Sequence, residues 1–260
     1  MIEPLSLLPQ VIDIARQASA AILEVYYGQV DWELQHKSDD SPITLADRTS
    51  NDLINAGLQL LPGNYPVVSE ENPAIPYEVR RHFHRFWLVD PLDGTLEFIN
   101  RNDEFTVNIA LIEQGQPLLG VVLSPVSGRL FYAVRGEGAW AEKEGQKQRL
   151  QAAAVSLSQP GLRVLTSRSN LKQGTLDYIA TLNRPVLLPK GSSLKIAMLA
   201  AAEADIYPRL GPTSEWDTAA AQLLLEEAGG AVLDWDTGQP LYYNKEDMLN
   251  PFFLARGVAL

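Results

Sequence analysis

The chain has 260 residues, 46% hydrophobic and 20% charged, with 32 Asp and Glu against 21 Lys and Arg for a net charge of −11. That size and composition suit one large folded domain or two modest ones and exclude wholesale disorder. The absence of cysteine excludes disulfides, thiolate zinc sites, iron–sulfur clusters and cysteine nucleophiles, and the acidic balance argues against a nucleic-acid polymer as partner.

Met1-Ile-Glu-Pro4 lacks the basic start and long apolar run of a secretory leader. No apolar stretch is long and uninterrupted enough to span a bilayer, so the expectation is a cytoplasmic protein without membrane insertion. Leu5, Leu8, Val11, Ile12, Ala15, Ala18, Ile22 and Val25 recur at helical spacing and predict an opening amphipathic helix that stops near Gly28. Ser38 to Pro42 reads as a loop. Leu45 to Leu61 reads as a second helix with Leu53, Ile54, Leu58 and Leu61 on one face, ended by Pro62-Gly63.

The pattern then turns sheet-like. Pro66 to Ser69 and Phe86 to Val89 are short apolar runs, each followed by carboxylates. Phe105 to Glu113, Leu118 to Leu123 and Arg129 to Val134 follow, separated by Gln114-Gly115 and Ser127-Gly128, which predicts an antiparallel segment. Past residue 150 short strands (Leu162–Thr166, Val186–Leu188, Asp205–Tyr207, Ala231–Trp235) alternate with helices near Leu176, over Ser192–Glu203 and over Trp216–Gly229. The expected organisation is an N-terminal α+β part, 1–150, and a C-terminal α/β part, 151–260.

Chemistry concentrates in Asp90-Pro91-Leu92-Asp93-Gly94-Thr95. Two carboxylates three residues apart, turned by Pro91 and Gly94, can converge beyond a strand end, with the Leu92 carbonyl as a further oxygen. Mg²⁺ takes such hard oxygen donors, and the Gly94–Thr95 backbone N–H groups suit a phosphate oxygen. A chance match to the five fixed positions in this length is roughly one in ten thousand. Ser69-Glu70-Glu71 ends another strand and Asp217 opens a predicted helix. Taken alone, a solvated pair is the default account of Glu70-Glu71, a helix cap accounts for Asp217 as well as a functional role does, and Asp47 in Thr44-Leu-Ala-Asp47 is the weakest signal, since an Asp in a first turn is routine. Their shared placement at strand exits and helix starts is what unites them. His36, His82 and His84 read as surface residues, and the five Trp as core except Trp216, which is expected to brace Asp217.

Glu70-Glu71, the Asp90–Thr95 run and Trp216-Asp217-Thr-Ala-Ala220 together resemble the inositol monophosphatase family, in order and at its usual separations along nearly the whole chain. The resemblance implies a layered α-β-α-β-α sandwich and Mg²⁺-dependent hydrolysis of phosphate monoesters with two or three ions. It implies that Glu70, Asp90, Asp93, Asp217 and the Leu92 carbonyl are metal ligands and that Glu71 assists from behind them. It assigns catalytic roles to Glu70 and to Asp47 and Thr95, which would orient and deprotonate the attacking water. Lithium sensitivity is implied as well.

Gly191-Ser192-Ser193-Leu194-Lys195, Tyr207-Pro208-Arg209 and Leu96–Asn102 resemble the 3′(2′),5′-bisphosphate nucleotidase branch. That branch converts adenosine 3′,5′-bisphosphate, a by-product of sulfate assimilation, to AMP. Gly94, Thr95, Ser192, Ser193, Lys195, Arg209 and Asp217 would then contact a small phosphorylated nucleotide, with Lys195 and Arg209 on its second phosphate. Asn170 departs from the pattern, since relatives often carry His after Ser-Arg-Ser. The alternatives are an inositol or sugar phosphatase and, more remotely, a non-catalytic metal- or phosphate-binding regulator. The expected assembly is a monomer or homodimer.

Overall fold

The computed structural model describes residues 2–29, 31–37 and 41–260. Helix α1 (Pro4–Tyr27) is followed by a short hairpin, β1 (Gln35–His36) with β2 (Pro42–Ile43), and by α2 (Leu45–Gln59). Residues 38–40 of the expected loop lie outside the described residues. A seven-stranded sheet comes next: β3 (Val67–Ser69), β4 (Arg85–Asp93), β5 (Thr106–Glu113), β6 (Gln116–Ser124), β7 (Arg129–Val134), β8 (Gly138–Lys143) and β9 (Gln146–Arg149), paired in chain order. Only β3–β4 is parallel; the rest form the expected antiparallel meander. Short helices α3 (Tyr77–Arg80) and α4 (Thr95–Ile99) flank β4.

The second half holds β10 (Ala154–Val155), β11 (Arg163–Ser167), α5 (Gln173–Ala180), β12 (Val186–Lys190), α6 (Leu194–Ala200), β13 (Ile206–Arg209), α7 (Glu215–Glu227), β14 (Ala231–Asp234), β15 (Phe253–Arg256) and β16 (Val258–Ala259). Five of these strands form a mixed sheet in the order β12-β11-β13-β15-β14. Helices α1 and α2 cover one face of the large sheet, α6 and α7 fill the space between the sheets, and α5 packs on the far side of the second. The layers are therefore α-β-α-β-α.

Period-two alternation in the large sheet explains why both its faces are covered. Trp87, Val89, Ile109, Leu111 and Val121 join the core under α1 and α2, whereas Phe86, Leu88, Ala110, Ile112 and Val122 join the core around α6 and α7. Both sets are almost fully buried, so the strands read as continuous apolar runs. Three expectations need correction. Leu53 is 37% exposed and does not share the buried face of Ile54 and Leu58, because α2 buries a narrower stripe than its apolar residues suggest. Trp87 is fully buried, but Trp32, Trp140 and Trp235, expected in the core, are half-buried; Trp216, which was not, is half-buried too and rests on the inter-sheet core. The third concerns β4, which does not stop before Asp90. It continues to Asp93 through a bulge in which the register passes from Asp90–Asn108 to Asp93–Thr106. Pro91 has no N–H for the ladder, so an extra residue is accommodated there.

Candidate metal centre and active site

Glu70 leaves the end of β3, and its N–H extends that ladder onto the Val89 carbonyl (3.1 Å). Asp90 lies at the β4 bulge, where its Oδ1 accepts the Leu92 N–H (3.0 Å). Asp217 sits in the first turn of α7 and accepts the Ser214 N–H through Oδ2 (2.9 Å). A carboxylate oxygen from each of the three lies within 4.8 Å of the other two. Among the described residues, no other group of three or more His, Asp or Glu side chains gathers this way. Burial followed by the charges of Glu70, Asp93 and Asp217 pushes the Asp90 carboxyl well above its ordinary range. Burial and then Asp93 and Glu70 do the same to Asp217. Crowded oxygen donors held at this energetic cost fit a hard divalent cation, which would relieve the repulsion on binding.

Asp93 stands in the same cleft but faces differently. Its Oδ2 accepts the Ser193 N–H and a long contact from Asn108 Nδ2 (3.5 Å). Burial raises its carboxyl to about 6, against the opposing pull of Lys195. Asp47 is buried at the third position of α2, where its Oδ2 accepts both the N–H (2.7 Å) and the hydroxyl (2.6 Å) of Thr44. Its Oδ1 accepts the Thr95 hydroxyl (3.0 Å). Gly94 between them has φ +101°, a left-handed conformation, and a Cβ there would come within 3.2 Å of the Glu104 carbonyl. Glu70, Asp90, Asp93, Gly94, Thr95 and Asp217 open onto one cleft of about 300 Å³, also lined by Leu92, Ser192, Ser193, Lys195 and Arg209, and Asp47 meets that lining through the Thr95 hydroxyl.

Two expected cations differ from simple surface residues. Lys195 is 5% exposed, and its ammonium donates to the carbonyls of Ser192 (2.6 Å) and Lys190 (3.3 Å) while lying 5.3 Å from the Tyr207 ring. Burial lowers it to about 8, although Asp93 pulls the other way. Arg209 donates through Nη2 to the Pro212 carbonyl (2.8 Å), and its buried Nε has no hydrogen-bond partner. Ser193 shares hydrogen bonds with Thr106 (2.8 Å) and Asn108 (2.7 Å), which hold it on β5. Asn170 lines the cleft rim, and His82 and His84 are exposed, away from it.

Sequence reasoning missed Lys37 and Glu104. The Lys37 ammonium donates to Glu70 Oε1 (2.7 Å) and Glu71 Oε1 (2.6 Å). Burial would lower its basicity, but the two carboxylates outweigh that and hold it above the ordinary lysine value. Burial nevertheless leaves Glu71 raised to about 7. A lone lysine ahead of a polar loop gives no periodic or motif signal. Glu104, 7% exposed before β5, would be pushed up by burial, but hydrogen bonds from Arg168, Lys190 and the Gly191 N–H bring it down to about 2.

The fold and this acidic centre define a class, and comparison agrees: the chain belongs to the inositol monophosphatase family, whose sequence profile matches residues 5–254. More particular relatives are proteins named 3′(2′),5′-bisphosphate nucleotidase CysQ. The one from Salmonella typhimurium is 47% identical over 95% of this chain and 98% of its own length, and that from Escherichia coli K12 is 45% identical over the same shares. Among solved structures, CysQ from Bacteroides thetaiotaomicron, a bacterial member of the family, superposes with a TM-score of 0.84 at 40% identity over 97% of both chains. The suhB protein of Bartonella henselae, 24% identical with a TM-score of 0.81 over 97% of this chain and 94% of its own, shares the fold. No helix among the described residues is long and apolar enough to cross a membrane.

Proposed function

We propose that the chain is a Mg²⁺-dependent 3′(2′),5′-bisphosphate nucleotidase that converts adenosine 3′,5′-bisphosphate and water to AMP and phosphate. The observation that carries this reading is one cleft with two unlike walls. Glu70, Asp90, Asp93 and Asp217 make an acidic wall, and Lys195 and Arg209 stand on the other. The names of the relatives at 45–47% identity support the same substrate.

Glu70, Asp90, Asp93, Asp217 and the Leu92 carbonyl would hold two or three Mg²⁺ ions, which when bound would neutralise phosphoryl oxygens and make water more acidic. The Thr95 hydroxyl already donates to Asp47 Oδ1, so its lone pairs are oriented to accept a proton from the attacking water. As that proton reaches Thr95, Asp47 takes the hydroxyl's own. Burial raises the Asp47 carboxyl, which makes it a better base than an ordinary carboxylate. Water oxygen bonds to phosphorus, the bond from phosphorus to the 3′ oxygen breaks, and the leaving oxygen regains a proton.

A simple monoester gives the second wall nothing to bind. The ammonium of Lys195 has three N–H groups, two of which go to Ser192 and Lys190, leaving one for a phosphate. Arg209, which lines the same cleft, adds a second charge of the right sign. Between residues 157 and 213 the chain carries seven Lys and Arg against three Asp and Glu, the reverse of its overall balance. That segment supplies this wall, and its excess favours a substrate with more than one phosphate.

The test is phosphate release by the purified protein, with Mg²⁺ or with EDTA, from adenosine 3′,5′-bisphosphate and from inositol 1-phosphate. Release is expected only with Mg²⁺, with the higher kcat/KM on the bisphosphate. Asp93→Asn is expected to lower turnover by at least the roughly 10–100-fold that even outer partners of metal ligands cost. Preference for the inositol ester would overturn the substrate, and release indifferent to Asp93→Asn would overturn the site.

A further inference from the structure

Glu104 takes no part in the reaction outlined above, yet its carboxylate collects four donors. Arg168 reaches it through Nε (2.7 Å) and Nη2 (2.8 Å), Lys190 through Nζ (3.0 Å), and Gly191 through its backbone N–H (2.8 Å). Arg168 lies just past β11, and Lys190 and Gly191 close β12. One buried acid on the first sheet's side therefore fastens two neighbouring loops of the second sheet. Glu97 of α4 adds a bond from the Ser169 hydroxyl (2.7 Å).

The fit around Glu104 is close. A Cβ at position 191 would lie 2.6 Å from Glu97 Cγ and 2.7 Å from the Glu104 carbonyl oxygen. Ser192, the next residue, has φ +51°, a conformation that a non-glycine residue keeps only where its surroundings hold it. The turn has two separate anchors. Its downstream end, Ser193, is held by Thr106, Asn108 and Asp93. Its upstream end is held by Glu104, and the carbonyls at that end, Lys190 and Ser192, grip the Lys195 ammonium. Charge is arranged to match: Arg168 and Lys190 face Glu104, with Glu97 beside them, so two cations answer two carboxylates at the edge of the cleft.

We propose that Glu104 is a positioning residue for the second phosphate of the substrate. By fixing the Lys190–Ser192 segment, it sets where Ser192 and the Lys195 ammonium stand, and so it selects bisphosphates over simple monoesters. This rests on the nucleotidase reading. The downstream anchor on Ser193 is independent of Glu104, so the acidic wall and its Asp93 contact keep their arrangement when Glu104 is changed.

The experiment measures kcat and KM for adenosine 3′,5′-bisphosphate and for p-nitrophenyl phosphate in the wild type, Glu104→Gln and Arg168→Gln. A wild type that does not favour the bisphosphate sinks the nucleotidase reading, a result seen before any variant is compared. Given that preference, Glu104→Gln is expected to lower the bisphosphate-to-monoester ratio of kcat/KM roughly ten- to a hundredfold, the scale of one charge-assisted bond lost to substrate. The loss should fall mainly on KM for the bisphosphate. Arg168→Gln, at a side chain 41% exposed, should lower the ratio by a smaller factor, about threefold. A merely structural role would reduce the active fraction alike for both substrates and leave ratio and KM in place. An unchanged ratio in folded Glu104→Gln overturns the proposal. Should that variant not fold, the ratio in Arg168→Gln decides: a fall supports the proposal and no change overturns it.

Discussion

Asp217 gives one oxygen to the Ser214 N–H at the start of α7 and offers carboxylate oxygen to the cluster with Glu70 and Asp90. Asp47 divides itself likewise between Thr44 and Thr95. From sequence alone, helix cap and functional residue are competing accounts of an Asp at such a position; in the fold each Asp makes its cap and still presents an oxygen elsewhere, so the two accounts are compatible. The cost shows in the raised carboxyls of Asp90, Asp217, Asp93 and Glu71. A carboxyl whose folded value lies above its unfolded one binds more protons when folded, so its ionisation opposes folding as pH rises. At pH 8 without metal, Asp90→Asn is therefore expected to stabilise the protein by about 1 kcal/mol or more, some 2–4 °C in Tm. The gain should shrink toward pH 4, where the folded state keeps its proton and the unfolded state is about half protonated. Thermal melts in EDTA at the two pH values check this, and a Tm that drops at pH 8 would contradict it.

Helix α7 approaches the large sheet through Ala219, Ala220 and Ala221, all buried. A Cβ on Gly120 of β6 would come within 2.6 Å of the Ala220 carbonyl oxygen and 3.0 Å of its Cα. Backbone cannot yield as a flexible side chain does, so Gly120→Ala is expected to cost about 1–3 kcal/mol. Because α7 carries Asp217, the same change should weaken Mg²⁺ activation; urea unfolding and a Mg²⁺ titration of activity measure the two effects. The elements around this contact were largely legible. The strands from 105 to 134 emerged within a few residues of their ends because apolar runs broken by Gln114-Gly115 and Ser127-Gly128 leave few alternatives. By contrast β8 and β9 were missed: Gln146–Arg149 is entirely exposed and carries no apolar signal, and Gly138–Lys143 offers only the short run Ala139 to Ala141. Strand β15 was missed because its partners, β13 and β14, lie 19 or more residues away. That four acidic residues would gather on one cleft was legible through the Asp-Pro-Leu-Asp-Gly-Thr run and its companions. Lys37 and Glu104 were not, because their partners are distant in sequence.

We infer that the change of texture near residue 150 separates two sheets and not two independent folding units. The first sheet ends at Arg149, and the second begins with β11, but one continuous core holds Phe86 and Ile112 together with Leu223, Val232 and Phe253. Strand β10, just past the boundary, pairs with β16 at the chain's far end. Shared burial of this kind couples the halves, so calorimetry is expected to show a single transition that moves upward with Mg²⁺. Two resolved transitions, or one that ignores Mg²⁺, would count against this account. The centre takes Glu70 and Asp90 from the first half and Asp217 from the second, so it exists only when both are assembled.

The ammonium of Lys37, seated between Glu70 and Glu71, gives the acidic wall a resident counter-ion. Part of the wall's excess charge is thus answered from within the chain. A divalent ion taking Glu70 Oε1 would compete with that occupant, so loading there would be an exchange of one cation for another, with a threshold set by the chain's own lysine.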